Sequence, residues 1–398
     1  MADLETFRRE TRAWLDKNAP PSVRTPLGPD EDACWGGRKE RYPNPEIKQW
    51  LDVMAARGWT APTWPKEYGG GGLSREEARI LREEMAALKL RAPLFGFGLT
   101  MIGPVLLELG NEELKREHIP RIVRGEIRWC QGYSEPGAGS DLAGLQTRAV
   151  LDGDHFIVTG QKIWTSYADE ADWMFLLVRT DPEAPKHNGI TFLLMDMESP
   201  GVSVKPIKLI SGSSPFCETF IDGVRVPRNQ VIGKVNEGWV VAKALLGHER
   251  SMIADIGREL GITGAKSTPA HLAREYIGEE GGRIADPLVR DRVTQVEMDQ
   301  RCLDWTMARS RDTAKAGRAP GAETSIFKYY GTELNKRRRE LMVSILGPQA
   351  LGWEGDGFTS EELSITRDWL RSRGNSIEGG TSEVQLNIIA KRVLGLPD

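Results

Sequence analysis

TRAVLDGDHFIVTG, residues 147–160, is the stretch on which the fold turns. Two short runs rich in Val, Ile, Phe and Thr, 147–151 and 156–159, flank the turn formers Asp152, Gly153 and Asp154, which reads as two strands and a tight turn. Runs of the same kind follow at 173–179, 190–195 and 217–221, so this part of the chain is expected to be a compact sheet domain. The periodicity differs on both sides. From Leu4 to about Arg128 apolar residues recur at helical spacing, as in Ile80, Leu81, Glu84, Met85 and Leu88, with punctuation at Pro20, Pro43 and Gly69 to Gly72. Beyond Gly233 the helical period returns, with loops expected at 278–282 and 352–357. The order is helices, sheet, helices. It predicts an α+β chain divided into a helical 1–128, a β domain 129–232 and a helical 233–398, without internal repeats.

Several function classes are disfavoured at once. The 398 residues, 39% hydrophobic, suffice for two or three cooperative units. A formal charge of −4 gives no broad electropositive surface, so nucleic acid is not an expected partner. The basic run 336–339 reads as the wet face of a helix. Cys34, Cys130, Cys217 and Cys302 form no CxxC pair and the five histidines no HExxH, which predicts reduced thiols and no metal site. Acidic residues at Asp3, Glu5 and Glu10 do not suit a targeting peptide, and no apolar run reaches the ~18 residues of a membrane span. A cytoplasmic protein without a membrane partner is expected. Gly137 and Gly139 lack the third glycine of a dinucleotide fingerprint, and no glycine loop ends in GKS or GKT, against a Rossmann or P-loop enzyme.

Four segments could carry chemistry. In GHER, 247–250, Glu249 lies one turn after Leu245 and one turn before Ile253, so a carboxylate stands in an apolar stripe. Desolvation there would raise its pKa toward that of a general base; on the residues alone a structural ion pair with an arginine is the favoured reading. GYSEPGAGSD, 132–141, packs turn formers around hydroxyls, and is equally well an ordinary polar loop or a backbone that approaches a ligand. In GQKIWTS, 160–166, Trp164 and Ser166 are two apart on a strand and are expected on one face, a plane beside a hydroxyl that suits an isoalloxazine; a strand tryptophan is more often core. In GNSIEGGTSEVQ, 374–385, Ser382 and Gln385 match a capping box after a double glycine. Free amides there favour an anion or oxyanion, although the ordinary reading is a plain capped helix after a loop.

Together these four segments, in this order, resemble the acyl-CoA dehydrogenase family over nearly the whole chain. The resemblance implies a helical N-terminal domain, a central β-barrel-like domain and a C-terminal four-helix bundle, with FAD between the last two. Carried over residue by residue, it implies that Gln131, Tyr133, Ser134, Trp164 and Ser166 contact the flavin ring, and that Thr381 and Glu383 lie near its ribityl and phosphate part. It further implies that Ser140 and Arg250 touch coenzyme A. Many members carry the catalytic glutamate immediately before the GT of the C-terminal turn, where this chain has Gly379; others carry it before the arginine of the helix, here Glu249. Glu378 is one residue off the first position and is expected to point elsewhere. The implied reaction is α,β-dehydrogenation to a trans-2-enoyl thioester, with Glu249 as base. The oxyanion would be held by the Gly379 amide and a ribityl hydroxyl, and electrons would pass to an electron-transfer flavoprotein.

The chain also departs from the family pattern. Homotetrameric members carry an RxxFG segment and a later QxxGG segment that hold a neighbour's FAD; here the regions read GRIADPLVRDRV at 282–293 and Ser344, Ile345, Leu346, Gly347, Pro348. These losses resemble the base-bearing subunit of heterotetrameric bacterial dehydrogenases of steroid side-chain degradation, which implies a second acyl-CoA dehydrogenase-like subunit and a bulky thioester, otherwise a homotetramer. The alternatives are an acyl-CoA oxidase, for which the chain is short, and a silent subunit that completes a partner's FAD site.

Overall fold

Asp152 and His155 pair across a two-residue turn in which Gly153 takes φ +62°, so the hairpin read from 147–160 is present. It belongs to a computed structural model that describes residues 2–25, 33–42, 44–259, 268–315 and 321–397, the side chains of residues 2, 249–259, 311, 314 and 315 excepted. The chain divides into two compact units, 1–207 with 215–264, and 208–214 with 265–398.

Among the described residues of the first unit five α-helices precede the sheet: α1 Ala2–Asn18, α2 Pro45–Ala56, α3 Arg75–Ala87, α4 Gly103–Leu109 and α5 Glu112–Val123. Three of these starts are set by side chains. Asn44 caps α2 ahead of Pro45, Ser74 and Glu77 form a capping box on α3, and Asn111 caps α5. Glu84 lies in the apolar stripe of α3, only 6% exposed, because Arg8 and Arg12 of α1 meet it at 2.5 and 3.0 Å.

The sheet strands are β1 Trp129–Gly132, β2 Arg148–Asp152, β3 His155–Ser166, β4 Trp173–Arg179, β5 Ile190–Asp196, β6 Val202–Ile207, β7 Phe216–Pro227 and β8 Val231–Ile232. Their order is β6-β7-β3-β2-β4-β5-β8, and β1 adds to β4 in parallel. The apolar runs of β4 and β5 are buried along almost their whole length, as central strands covered on both faces must be, and Phe175 and Phe192 stack at an interplanar angle of 4°. One core joins Phe175, Phe192 and Leu194 to Leu106 of α4, Leu114 of α5, and Val241, Ala242 and Leu245 of α6 Gly238–Glu259.

The second unit contains α7 Pro269–Tyr276, β9 Glu279–Glu280, β10 Arg283–Ile284, α8 Pro287–Lys315, α9 Ser325–Leu346, α10 Ser360–Ser372 and α11 Ser382–Ile388. Helices thus precede and follow a central sheet, the α+β order expected. Two expectations are corrected. The supposed loop at 278–282 holds a small hairpin, because Gly281 and Gly282 both take positive φ and form the turn that joins β9 to β10. The basic run 336–339 is not a wet helix face: Lys336 pairs with Glu333, Arg337 with Asp299 of α8, and Arg339 with Asp368 of α10, so three of its cations serve as ties, two of them to other helices. Among the described residues no helix is long and apolar enough to cross a membrane.

Truncating the centre of the first core should be costly. Phe175→Ala is expected to lower unfolding free energy by about 3–5 kcal/mol. Val150→Ala, on the exposed side of β2, should stay within about 0.5 kcal/mol, both read by urea denaturation.

Candidate active site

The loop that leaves β1 is built on a charge pair. Lys162 of β3 is fully buried, and its ammonium donates to Glu135 Oε1 at 2.8 Å, to the Tyr133 carbonyl at 3.2 Å and to the Leu177 carbonyl at 2.7 Å. Glu135 also accepts the amides of Gln146 and Thr147 at 2.6 and 2.9 Å. Burial alone would raise the Glu135 pKa, but the lysine charge and these donors hold it below the usual carboxylate range. Burial pulls the Lys162 pKa down to about 8, with the glutamate charge opposing it. Neither residue was singled out from sequence; the signal was a lysine inside a strand and an acid inside a turn, both without a charged neighbour in sequence.

Above this pair the loop is closed by reciprocal bonds between the amides and carbonyls of Glu135 and Ala138. A Cβ added at Gly137 or Gly139 would meet no other atom within 4 Å, so the loop's outer side is open. Ser140 is exposed there, and Asp141 is paired with Lys186. Ser134 is held by its carbonyl, which accepts the Ile163 amide at 2.9 Å, while its own amide meets no acceptor among the described residues. The Tyr133 ring is 4% exposed and packs edge-on against Phe175 and Phe192, so it supports the loop from the core side. Gln131 is half-buried in β1, opposite Phe175.

Trp164 is the extra residue of a β-bulge: Ile163 pairs with Glu218 and Thr165 with Cys217, leaving 164 without a partner in β7. Two-residue alternation therefore does not place it beside Ser166, as the sequence reading assumed. Thr165 between them is fully buried, while Trp164 is 53% exposed and Ser166 half-buried. Trp164 also takes φ +61°, a conformation that costs a non-glycine residue about 1–3 kcal/mol. A large indole held in a strained backbone and turned outward, touching Phe216 edge-on, contributes little to packing. It offers a flat apolar face to a planar ligand. The bulge and Ser134 lie together, because Ile163, the residue before Trp164, donates to the Ser134 carbonyl.

In the second unit, Gly379 and Gly380 take φ of +63° and +86°, and the Gly379 amide donates to no acceptor among the described residues. The helix that follows is capped by Thr381, whose hydroxyl accepts the Val384 amide. The expected capping box is corrected: Ser382 is already inside α11, and Gln385 reaches back to the Gly379 carbonyl instead. Glu383 is exposed in the first turn of α11, where its own amide and the Thr381 hydroxyl lower its pKa. Glu378 is held by Arg371 at 2.7 Å and by Asn375. Lys328 of α9, which the sequence reading passed over, places a buried ammonium near Glu378, Glu333 and Glu383, and burial lowers its pKa.

Glu249 and Arg250 fall in the helical span of α6, but their side chains lie outside the described residues. Among the described residues no cluster of His, Cys, Asp and Glu could hold a metal ion.

Comparison with known proteins gives this geometry its context. Acyl-CoA dehydrogenase N-terminal, middle and C-terminal domain models match residues 1–126, 130–224 and 236–394. Acyl-CoA dehydrogenase IpdE1 of Mycobacterium tuberculosis is 34% identical over 397 residues, covering 100% of this chain and 99% of that protein. The chain belongs to the acyl-CoA dehydrogenase family. It is an oxidoreductase that acts on acyl-CoA thioesters. Among solved structures, the Tcur3481-Tcur3483 steroid ACAD is similar at TM-score 0.73 and 31% identity, covering 100% of this chain and 98% of that one. The ChsE4-ChsE5 complex from Mycobacterium tuberculosis matches at TM-score 0.70 and 30% identity, with the same coverage.

If Trp164 serves a ligand rather than the core of this dehydrogenase, Trp164→Gly should change unfolding free energy by less than about 1 kcal/mol, since glycine relieves the positive φ. A loss of about 3–5 kcal/mol in thermal or urea unfolding, the cost of truncating a core tryptophan, would contradict this.

Proposed function

We propose that the chain is the base-bearing subunit of an FAD-dependent acyl-CoA dehydrogenase, with Glu249 as the base. The residues present suit FAD: an outward indole at a strained bulge, an unpaired Ser134 amide beside it and a loop whose glycines face open space. Gln131, Ser134, Trp164 and Ser166 would hold the ring, with Tyr133 beneath the loop, and Thr381 and Glu383 would lie near the ribityl and phosphate part. FAD, when bound, supplies the acceptor for the β-hydrogen as hydride. Ser140 and Arg250 would bind coenzyme A.

The chain's own residues must do the proton chemistry. A thioester α-hydrogen is a weak acid, and its removal needs a carboxylate in place and a donor for the charge that develops on the carbonyl oxygen. The Gly379 amide, with no acceptor among the described residues, suits that donor role. Of the two glutamates that sequence offers, Glu378 is engaged by Arg371 and Asn375, and this observation carries the assignment of the base to Glu249. Both of its carboxylate oxygens already accept hydrogen bonds, which would have to break before it took an α-proton.

The missing RxxFG and QxxGG segments support a second, related subunit that completes FAD binding. Similarity to a steroid ACAD of two named chains and to the ChsE4-ChsE5 complex supports the same assembly, and a bulky steroid side-chain thioester as substrate. Electrons would leave through an electron-transfer flavoprotein.

Glu249→Gln should fold and keep flavin while turnover falls roughly 10²–10⁴-fold or more in a dye-coupled assay. Glu378→Gln should retain most of its rate. Normal turnover in the first variant overturns the assignment. Purified alone, the chain should carry less than one FAD, and coexpression with the neighbouring reading frame should restore it; full occupancy and activity alone would refute the heteromer.

A further inference from the structure

We propose that the buried Glu135–Lys162 pair is a positioning device for the flavin ring, fixing the orientation of the Tyr133–Ser134 peptide and so aiming the Ser134 amide at the cofactor. The inference rests on the FAD reading above. Lys162 has three N–H donors, and all three are used, on Tyr133 O, Glu135 Oε1 and Leu177 O. Glu135 in turn gathers the Gln146 and Thr147 amides, so one ion pair binds the loop to β3, to β4 and to the chain entering β2.

The next bond along β3 continues the clasp, from the Ile163 amide to the Ser134 carbonyl. Two successive carbonyls, 133 and 134, are therefore held from the β3 side. No cis peptide occurs among the described residues, and in a trans peptide the N–H points opposite to the C=O. With the Tyr133 carbonyl turned onto the ammonium, the Ser134 N–H must point away from the pair, and there it finds no acceptor among the described residues. A free amide fixed in direction is a recognition group for a ligand oxygen. Trp164 follows Ile163 directly, so the same clasp joins the amide to the outward indole at the bulge.

Packing alone does not call for this pair. Replacing a buried ion pair by well-packed neutral groups of similar size is often without cost to stability, whereas removing one partner strands a charge and is strongly destabilising. A double variant therefore separates positioning from folding.

The test compares the full chain with Lys162→Met/Glu135→Gln, in which both charges are removed together, each coexpressed with the partner subunit. The double variant should unfold at nearly the same urea midpoint, yet show faster amide hydrogen exchange across 133–147. FAD titrated by flavin fluorescence should bind it about tenfold or more weakly. Lys162→Met alone should be markedly less stable than either. Unchanged exchange in 133–147, or FAD affinity equal to that of the unsubstituted chain, overturns the positioning role. A double variant as unstable as Lys162→Met alone shows the pair to be structural and overturns it too. No FAD binding by the unsubstituted chain coexpressed with its partner subunit instead overturns the cofactor reading, and the positioning claim falls with it.

Discussion

A lysine ammonium with no exposure to water, satisfied by one carboxylate and two carbonyls, is the constraint around which the loop between β1 and β2 is organised. Taking two charges out of water is costly unless every donor and lone pair is met, and the pair meets this condition only if β1, β3, β4 and the loop between β1 and β2 stand in one arrangement. The geometry that satisfies the pair also leaves the Ser134 amide free and sets the bulge at Trp164 one residue beyond Ile163.

Around that centre, the side chains divide into those spent on the fold and those left over. Tyr133, Thr165 and Thr219 are turned inward and satisfied or packed. Trp164, Ser140 and the open side of Gly137 and Gly139 are not used by the fold. In the second unit the same division separates Glu378, occupied by Arg371, from the Gly379 amide, which has no acceptor among the described residues. Unused polar and aromatic groups held in strained or glycine-dependent conformations are what a binding site looks like before its ligand is considered.

Much of this was legible in the sequence because the periods differ. Alternation over 147–160 and helical spacing over 75–88 each fit one element type, and the hairpin and α3 follow. What was missed has physical reasons. β6 is an edge strand that carries Pro206 and alternates in exposure, so its residues resemble a loop. β1 is four residues long and depends on parallel pairing with β4, a contact no local pattern encodes. The Gly281–Gly282 hairpin was hidden by treating glycines as loop markers when two successive positive φ angles make a turn. A bulge is a matter of register, so the spacing of Trp164 and Ser166 did not disclose it. Glu135 and Lys162 escaped notice because buried charges are rare, and the bonds that justify them join residues 27 apart. The order of the four family segments is readable in the sequence, and the dehydrogenase resemblance with it.

The central claim is that Glu249 takes the α-proton of a bound acyl thioester. It is tested most directly by incubating the enzyme anaerobically with an acyl-CoA in deuterium oxide and following the mass at C2 of the recovered thioester. The account predicts deuterium at C2 with the unsubstituted enzyme and none with Glu249→Gln. Equal incorporation by both would contradict it.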